Sequence, residues 1–191
     1  EMLMHGRVPS DSRRQEYYER ITRESDRLSR LVENVLDFSR MEDGRRQYRF
    51  EPLDVGRWLH ETVAAFESQS PDRPVSIVAT IPEGLPPVVG DHGALTLALQ
   101  NLIDNAIKYS PGSDTVWLEA GANGGGIAIR VRDRGVGIAA AERPRIFEKF
   151  YRAPAEITRE VKGAGLGLSL VHHVVSAPGG RIDCASALGE G

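Results

Sequence analysis

The sequence is poor in the residues that staple a fold, cross a membrane or bind by sheer charge. A single cysteine, Cys184, stands among 191 residues. That excludes an internal disulfide and a cysteine-rich metal site, and it reads as a small buried or half-buried side chain in a reducing compartment. No apolar run approaches the roughly 18 residues needed to span a bilayer. The opening EMLMHGRVPS also lacks the apolar core of a secretory signal. Basic residues are not in excess: 24 Lys and Arg face 27 Asp and Glu, for a net charge of −3. Nucleic acid is therefore not an expected partner. EMLM reads like the tail of a helix entered midway, so the chain is expected to be a piece of a longer protein. Any membrane segment would lie upstream.

What is present divides at about residue 48. Gly6 and Pro9 punctuate a turn in HGRVPSD, where Ser10 or Asp11 can cap a following helix. From Arg13 to about Asp43 there is neither glycine nor proline. Tyr17, Ile21, Leu28, Leu31, Val35 and Phe38 fall at the 3–4 spacing of a helix seam, interrupted by Glu24. A seam so narrow buries little alone and calls for a partner helix. Gly44 ends it, and RRQYRFEPLDV reads as an extended connection. Beyond lie a helix over 55–70, strands over 74–82 and 116–121, a strand from 126 that dissolves into glycine, a long irregular stretch, a helix at LGLSLVHHVVSA and a last strand at GGRIDCAS. Helices and strands in separate runs predict an α+β two-layer sandwich.

Three stretches carry chemistry. In DHGALTLALQNLIDNAIKYS, seven apolar side chains gather on one side of a helix. Asn101, Asn105 and Lys108 share the other, within roughly 60° at about 100° per residue. An amide oxygen is a hard neutral ligand that suits Mg²⁺ carrying waters and phosphate oxygens. A lysine one turn on adds a point charge for the same phosphates. The plain alternative is an exposed polar stripe. In IAIRVRDRGVGI, Asp133 continues the apolar face of Ile127, Ile129 and Val131. An inward carboxylate needs donors, which an exocyclic amine such as that of adenine supplies, with Gly135 and Gly137 permitting close backbone approach. The alternative is a turn whose Asp caps its own backbone. In GAGLGLSLVHHVV, alternating glycines run into an amphipathic helix, a junction suited to phosphate, or simply a loop-to-helix turn.

Taken in order, these stretches resemble the catalytic and ATP-binding domain of a sensor histidine kinase. NLIDNAIKYS is similar to the N box, DRGVGI to the first glycine box, IFEKFYR to the phenylalanine box and GAGLGL to the second glycine box. The helix before them resembles the second helix of the dimerisation and histidine-phosphotransfer hairpin. The resemblance implies a partial hairpin over residues 1–48 and a Bergerat (GHKL) ATP-binding domain over 49–191, with a mixed sheet on one side and helices on the other. It implies that Asn105 holds Mg²⁺, that Asn101 supports the same phosphate region, and that Lys108 and Arg152 contact phosphates. Tyr109 would lie near the sugar and phosphates. Asp133 would receive the adenine amine beside Gly135, Gly137 and Ile138. Gly163, Gly165, Leu166, Gly167 and Leu168 would shape the hinge and phosphate end of a lid that Phe147 and Phe150 anchor by packing. The implied activity is γ-phosphoryl transfer from ATP to a histidine, and from there to an aspartate of a response-regulator receiver domain. The parent would be a homodimer, a bacterial inner-membrane sensor whose cytoplasmic part this is.

Two departures qualify the likeness. The phosphoacceptor histidine belongs upstream of the turn at Gly6, and His5 lacks the expected surroundings. His172 and His173 read as structural or exposed. The chain also ends at GEG, where one further strand is expected. The rival class on the same fold, a GHKL ATPase or ATP-dependent clamp, needs a glutamate four residues before the metal asparagine, and Asn101 stands there.

Overall fold

The computed structural model describes residues 13–19, 21–22, 25, 47–68, 75–153 and 163–189. The chain divides into two compact units, Glu1–Arg46 and Gln47–Gly191.

In the first unit every described residue is helical. Gln15 Nε2 donates to Glu19 Oε1 at 3.2 Å, and Thr22 Oγ1 donates to the Tyr18 carbonyl at 3.0 Å, both one turn apart. Of the expected seam, Tyr17 is half-buried and Ile21 is exposed, while Leu28, Leu31, Val35 and Phe38 lie outside the described residues.

The second unit contains β1 (Glu51–Leu53), α1 (Val55–Ser68), β2 (Ser76–Thr80), β3 (Val88–Gly90), α2 (His92–Lys108), β4 (Thr115–Asn123), β5 (Gly126–Arg132) and α3 (Gly167–Ser176). β1 pairs antiparallel with β3, and a separate sheet has the order β2-β4-β5. In it β2 runs parallel to β4 and β5 antiparallel. This is the mixed-sheet α+β architecture expected. At the β4–β5 turn, Asn123 pairs with Gly126 across Gly124 and Gly125, whose φ values are 57° and 95°. Two successive positive φ angles are what a tight hairpin turn with the right twist requires.

The helices start where side chains can satisfy their first N–H groups. Asp54 Oδ1 accepts from Arg57 N at 3.0 Å, and Asp91 Oδ1 accepts from Ala94 N at 2.8 Å. Asp91 Oδ2 also takes the N–H of Arg49 at 2.9 Å, tying the entering chain to the head of α2. α1 buries Val55, Trp58, Leu59, Thr62 and Val63, and α2 buries Ala94, Ala98, Leu99, Ile103, Ala106 and Ile107. These stripes close on Ile77, Val116 and Leu118 from the sheet. Trp58 Nε1 donates to Thr96 Oγ1 at 2.8 Å, so the one polar atom of the largest α1 side chain is satisfied on α2. On the other face of the sheet, the Arg132 and Arg134 guanidiniums lie 5.1 and 4.9 Å from the Trp117 ring. Among the described residues no helix is long and apolar enough to cross a membrane.

GGRIDCAS does not form the expected strand. Its side chains alternate as a strand's would, with Ile182, Cys184 and Ser186 half-buried and Arg181, Asp183 and Ala185 exposed. The repeated backbone ladder is missing. The segment meets the loop after β5 through the Ser186 hydroxyl, which accepts from Ile138 N at 2.8 Å, and through Gly189 N, which donates to the Val136 carbonyl at 2.8 Å.

Candidate functional site

One cavity of about 520 Å³ lies between α2, the end of β5, the loop beyond it, the head of α3 and the C-terminal segment. α2 contributes Leu102, Asn105, Ala106 and Tyr109, and β5 leads in with Val131 and Asp133. Seven of the fourteen residues assigned to nucleotide binding from the resemblance line it: Asn105, Tyr109, Asp133, Gly137, Ile138, Arg152 and Leu168. Asn101, Lys108, Gly135, Gly163, Gly165, Leu166 and Gly167 are not part of its wall.

Asn105 reaches the cavity because α2 turns its apolar stripe to the sheet and leaves that position half-buried. Asn101, one turn earlier, is used within the protein. Its Nδ2 donates to the Leu97 carbonyl at 2.8 Å, and a β-carbon on Gly167 would stand 2.8 Å from its Oδ1. Lys108 is exposed, with its Nζ 3.7 Å from Asp104 Oδ2, an open pair of small energetic weight.

Asp133 is half-buried, and its Oδ1 accepts from Gly135 N at 2.7 Å and from Ser110 Oγ at 3.3 Å. The bond to Gly135 is the self-capping Asp turn; it coexists with a place in the cavity wall. The glycines after Asp133 serve contacts within the protein. A β-carbon on Gly135 would lie 2.5 Å from the Tyr109 carbonyl oxygen, which already accepts from Val136 N at 3.0 Å. Gly137 has φ of +69° and sits against the Ala187 carbonyl with no room for a side chain.

In the α3 approach, Leu166 is 3% exposed and anchors the helix start in the core. No side chain caps that start. Gly163 faces open space, whereas Gly165, with φ of +71°, accepts from Phe150 N at 3.0 Å. Phe147 is half-buried in the cavity wall, 5.8 Å from the His172 ring. Phe150 differs from the packing anchor expected: the residue is 68% exposed and its φ is 60°. A bulky residue in that region stores about 1–3 kcal/mol of strain. Its backbone bond to Gly165 holds it there. Both His172 and His173 are exposed. Residues 154–162 of the long irregular stretch lie outside the described residues.

Three features of the cavity carry no functional signal in the sequence: Ser110 behind Asp133, Ser186 and Glu142. Cys184, expected to be buried or half-buried, also lines the wall. Cys184 is half-buried; burial raises its thiol pKa, Arg143 opposes that and Asp133 adds to it. The thiol is thus a neutral part of the wall. Glu142 Oε2 is buried and has no hydrogen-bond partner among the described residues. A buried acceptor left unpaired costs about 1–3 kcal/mol, so the wall is suited to a ligand that brings donors. Glu142 carried no signal. Among the described residues no group of three or more His, Cys, Asp and Glu side chains could hold a metal. A Mg²⁺ here would have to take Asn105 with waters and phosphate oxygens, which is a donor set that ion accepts.

Residues 90–191 match the model of the histidine kinase-, DNA gyrase B- and HSP90-like ATPases. Residues 1–44 match the His Kinase A (phospho-acceptor) domain. The chain belongs to the sensor histidine kinase family. It is 35% identical over 175 residues to the sensor-like histidine kinase SenX3 of Mycolicibacterium smegmatis, covering 92% of this chain and 45% of that protein. To the sensor histidine kinase WalK of Bacillus subtilis it is 31% identical, covering 88% of this chain and 28% of that one. The full-length ShkA structure in complex with AMPPNP superposes with a TM-score of 0.74 at 28% identity, over 96% of this chain and 38% of ShkA. The chain therefore spans less than half the length of these relatives.

Proposed function

We propose that this chain is the ATP-binding catalytic core of a two-component sensor histidine kinase, and that the cavity between α2, Asp133 and α3 is its Mg-ATP site. The reading is carried by one observation: Asn105, Tyr109, Asp133 and Arg152, drawn from separate stretches of sequence, line the same cavity. Asp133 would accept the exocyclic amine of adenine. Asn105 would hold Mg²⁺, which when bound neutralises developing phosphate charge. Arg152 and the uncapped amides at the head of α3 would face the phosphates. Lys108 would reach them from the rim once it leaves Asp104, and Asn101 would act indirectly, by setting the distance between α2 and α3.

In the parent protein the acceptor is an imidazole nitrogen outside this chain. That nitrogen forms a bond to the γ-phosphorus as the bond to the β,γ-bridging oxygen breaks, and ADP departs. The protein's part is positioning and charge stabilisation. The phosphoryl group would pass on to a response-regulator aspartate, with the segment over residues 13–43, whose spacing predicts a helix, contributing to the regulator's dock and to a homodimeric bundle.

A parent protein extended upstream and incubated with γ-labelled ATP tests this. It should take up phosphate that is lost in acid and kept in base, as a phosphoramidate is. Label that survives acid would mean a hydroxyl acceptor and would overturn the reading.

A further inference from the structure

Ser110 follows the last turn of α2 and is 1% exposed. A buried hydroxyl places its proton on an acceptor, here Asp133 Oδ1 at 3.3 Å. The same oxygen takes the Gly135 N–H at 2.7 Å. Neither bond falls on Oδ2. The two donors are themselves fixed to each other. Ser110 adjoins Tyr109, whose carbonyl binds Val136 N at 3.0 Å and leaves no space for a β-carbon on Gly135.

The terminal torsion of an aspartate is broad and roughly two-fold, so the side chain alone does not choose which oxygen faces a ligand. Two donors on one oxygen make that choice. We infer that Ser110 is a positioning residue for base recognition, holding Oδ1 of Asp133 so that Oδ2 meets the exocyclic amine of an adenine nucleotide. This rests on the assignment of Asp133 above. The 3.3 Å separation is long for a hydroxyl donor, as such bonds often are before a ligand tightens them. A merely structural Ser110 would fill its buried slot and join the turn in which Ser113 N donates to its carbonyl at 3.2 Å. Base selectivity separates the two roles.

The experiment measures binding of ATP and of inosine triphosphate, which lacks the amine, to the 191-residue chain and three variants by calorimetric titration. Wild type prefers ATP, and Asp133→Asn erases the preference. Ser110→Ala cuts the ATP preference about tenfold, the scale of one hydrogen bond to a charged group, while inosine triphosphate affinity holds. Ser110→Thr keeps both. Equal loss for the two nucleotides in Ser110→Ala, or no loss for either, overturns the positioning role. If Asp133→Asn leaves the preference intact, the Asp133 assignment itself fails and takes this one with it.

Discussion

A β-carbon on Gly167 would stand 2.8 Å from Oδ1 of Asn101. Helices α2 and α3 meet there with hydrogen on one side and an amide on the other. The amide cannot simply turn away, because its Nδ2 is bonded to the Leu97 carbonyl. Gly167→Val should therefore cost about 1–3 kcal/mol by overpacking and lower nucleotide affinity as the α3 head shifts. Urea unfolding and a nucleotide titration read the two effects; an unchanged midpoint would show that the contact yields freely.

Gly137 combines a φ of +69° with contact against the Ala187 carbonyl. Gly137→Ala should destabilise by more than the about 1 kcal/mol that a left-handed residue alone costs, since the C-terminal segment must also move. Thermal unfolding checks this. A melting temperature equal to wild type would place the constraint elsewhere.

Among the described residues Lys108 pairs with Asp104 alone, across an exposed 3.7 Å gap. Lys108→Ala should change stability by less than about 0.5 kcal/mol. If the side chain serves phosphates, the variant binds ATP more weakly and adenosine as before. Equal affinities for ATP in variant and wild type would remove Lys108 from the site.

Burial raises the Cys184 thiol pKa, with Asp133 reinforcing and Arg143 opposing. A raised pKa means less thiolate at mildly alkaline pH, so alkylation should be slower than for a free cysteine. The sign for stability follows from the same direction: the folded state favours the neutral thiol, so its contribution is fully present below the unfolded pKa and is lost as pH rises from there through the folded pKa. Bound ATP should slow alkylation further, because Cys184 lines the cavity. Alkylation indifferent to ATP would contradict that placement.

The parts legible in the sequence are those with a period or a spacing. α1 was expected over 55–70 and runs Val55–Ser68; the asparagine helix ends at Lys108. The Asp133 carboxylate stood out because it continued an apolar face. Three-residue strands have no period to detect, and both β1 and the approach to β3 contain proline, so the small β1–β3 sheet was invisible. Glycine contacts are hidden for a different reason. Gly135 and Gly137 neighbour the Tyr109 and Ala187 carbonyls, which only the tertiary fold brings near, and Gly137 lines the cavity as well. Ser110 was hidden the same way: its acceptor lies 23 residues along the chain.

The most direct test of the central claim is ATP binding by the wild-type chain and by Asn105→Asp, titrated with and without Mg²⁺. Wild type should bind more tightly with Mg²⁺, and Asn105→Asp should weaken binding and alter that Mg²⁺ dependence. No adenine nucleotide bound at millimolar concentration, or affinity and Mg²⁺ dependence unchanged by Asn105→Asp, would contradict it.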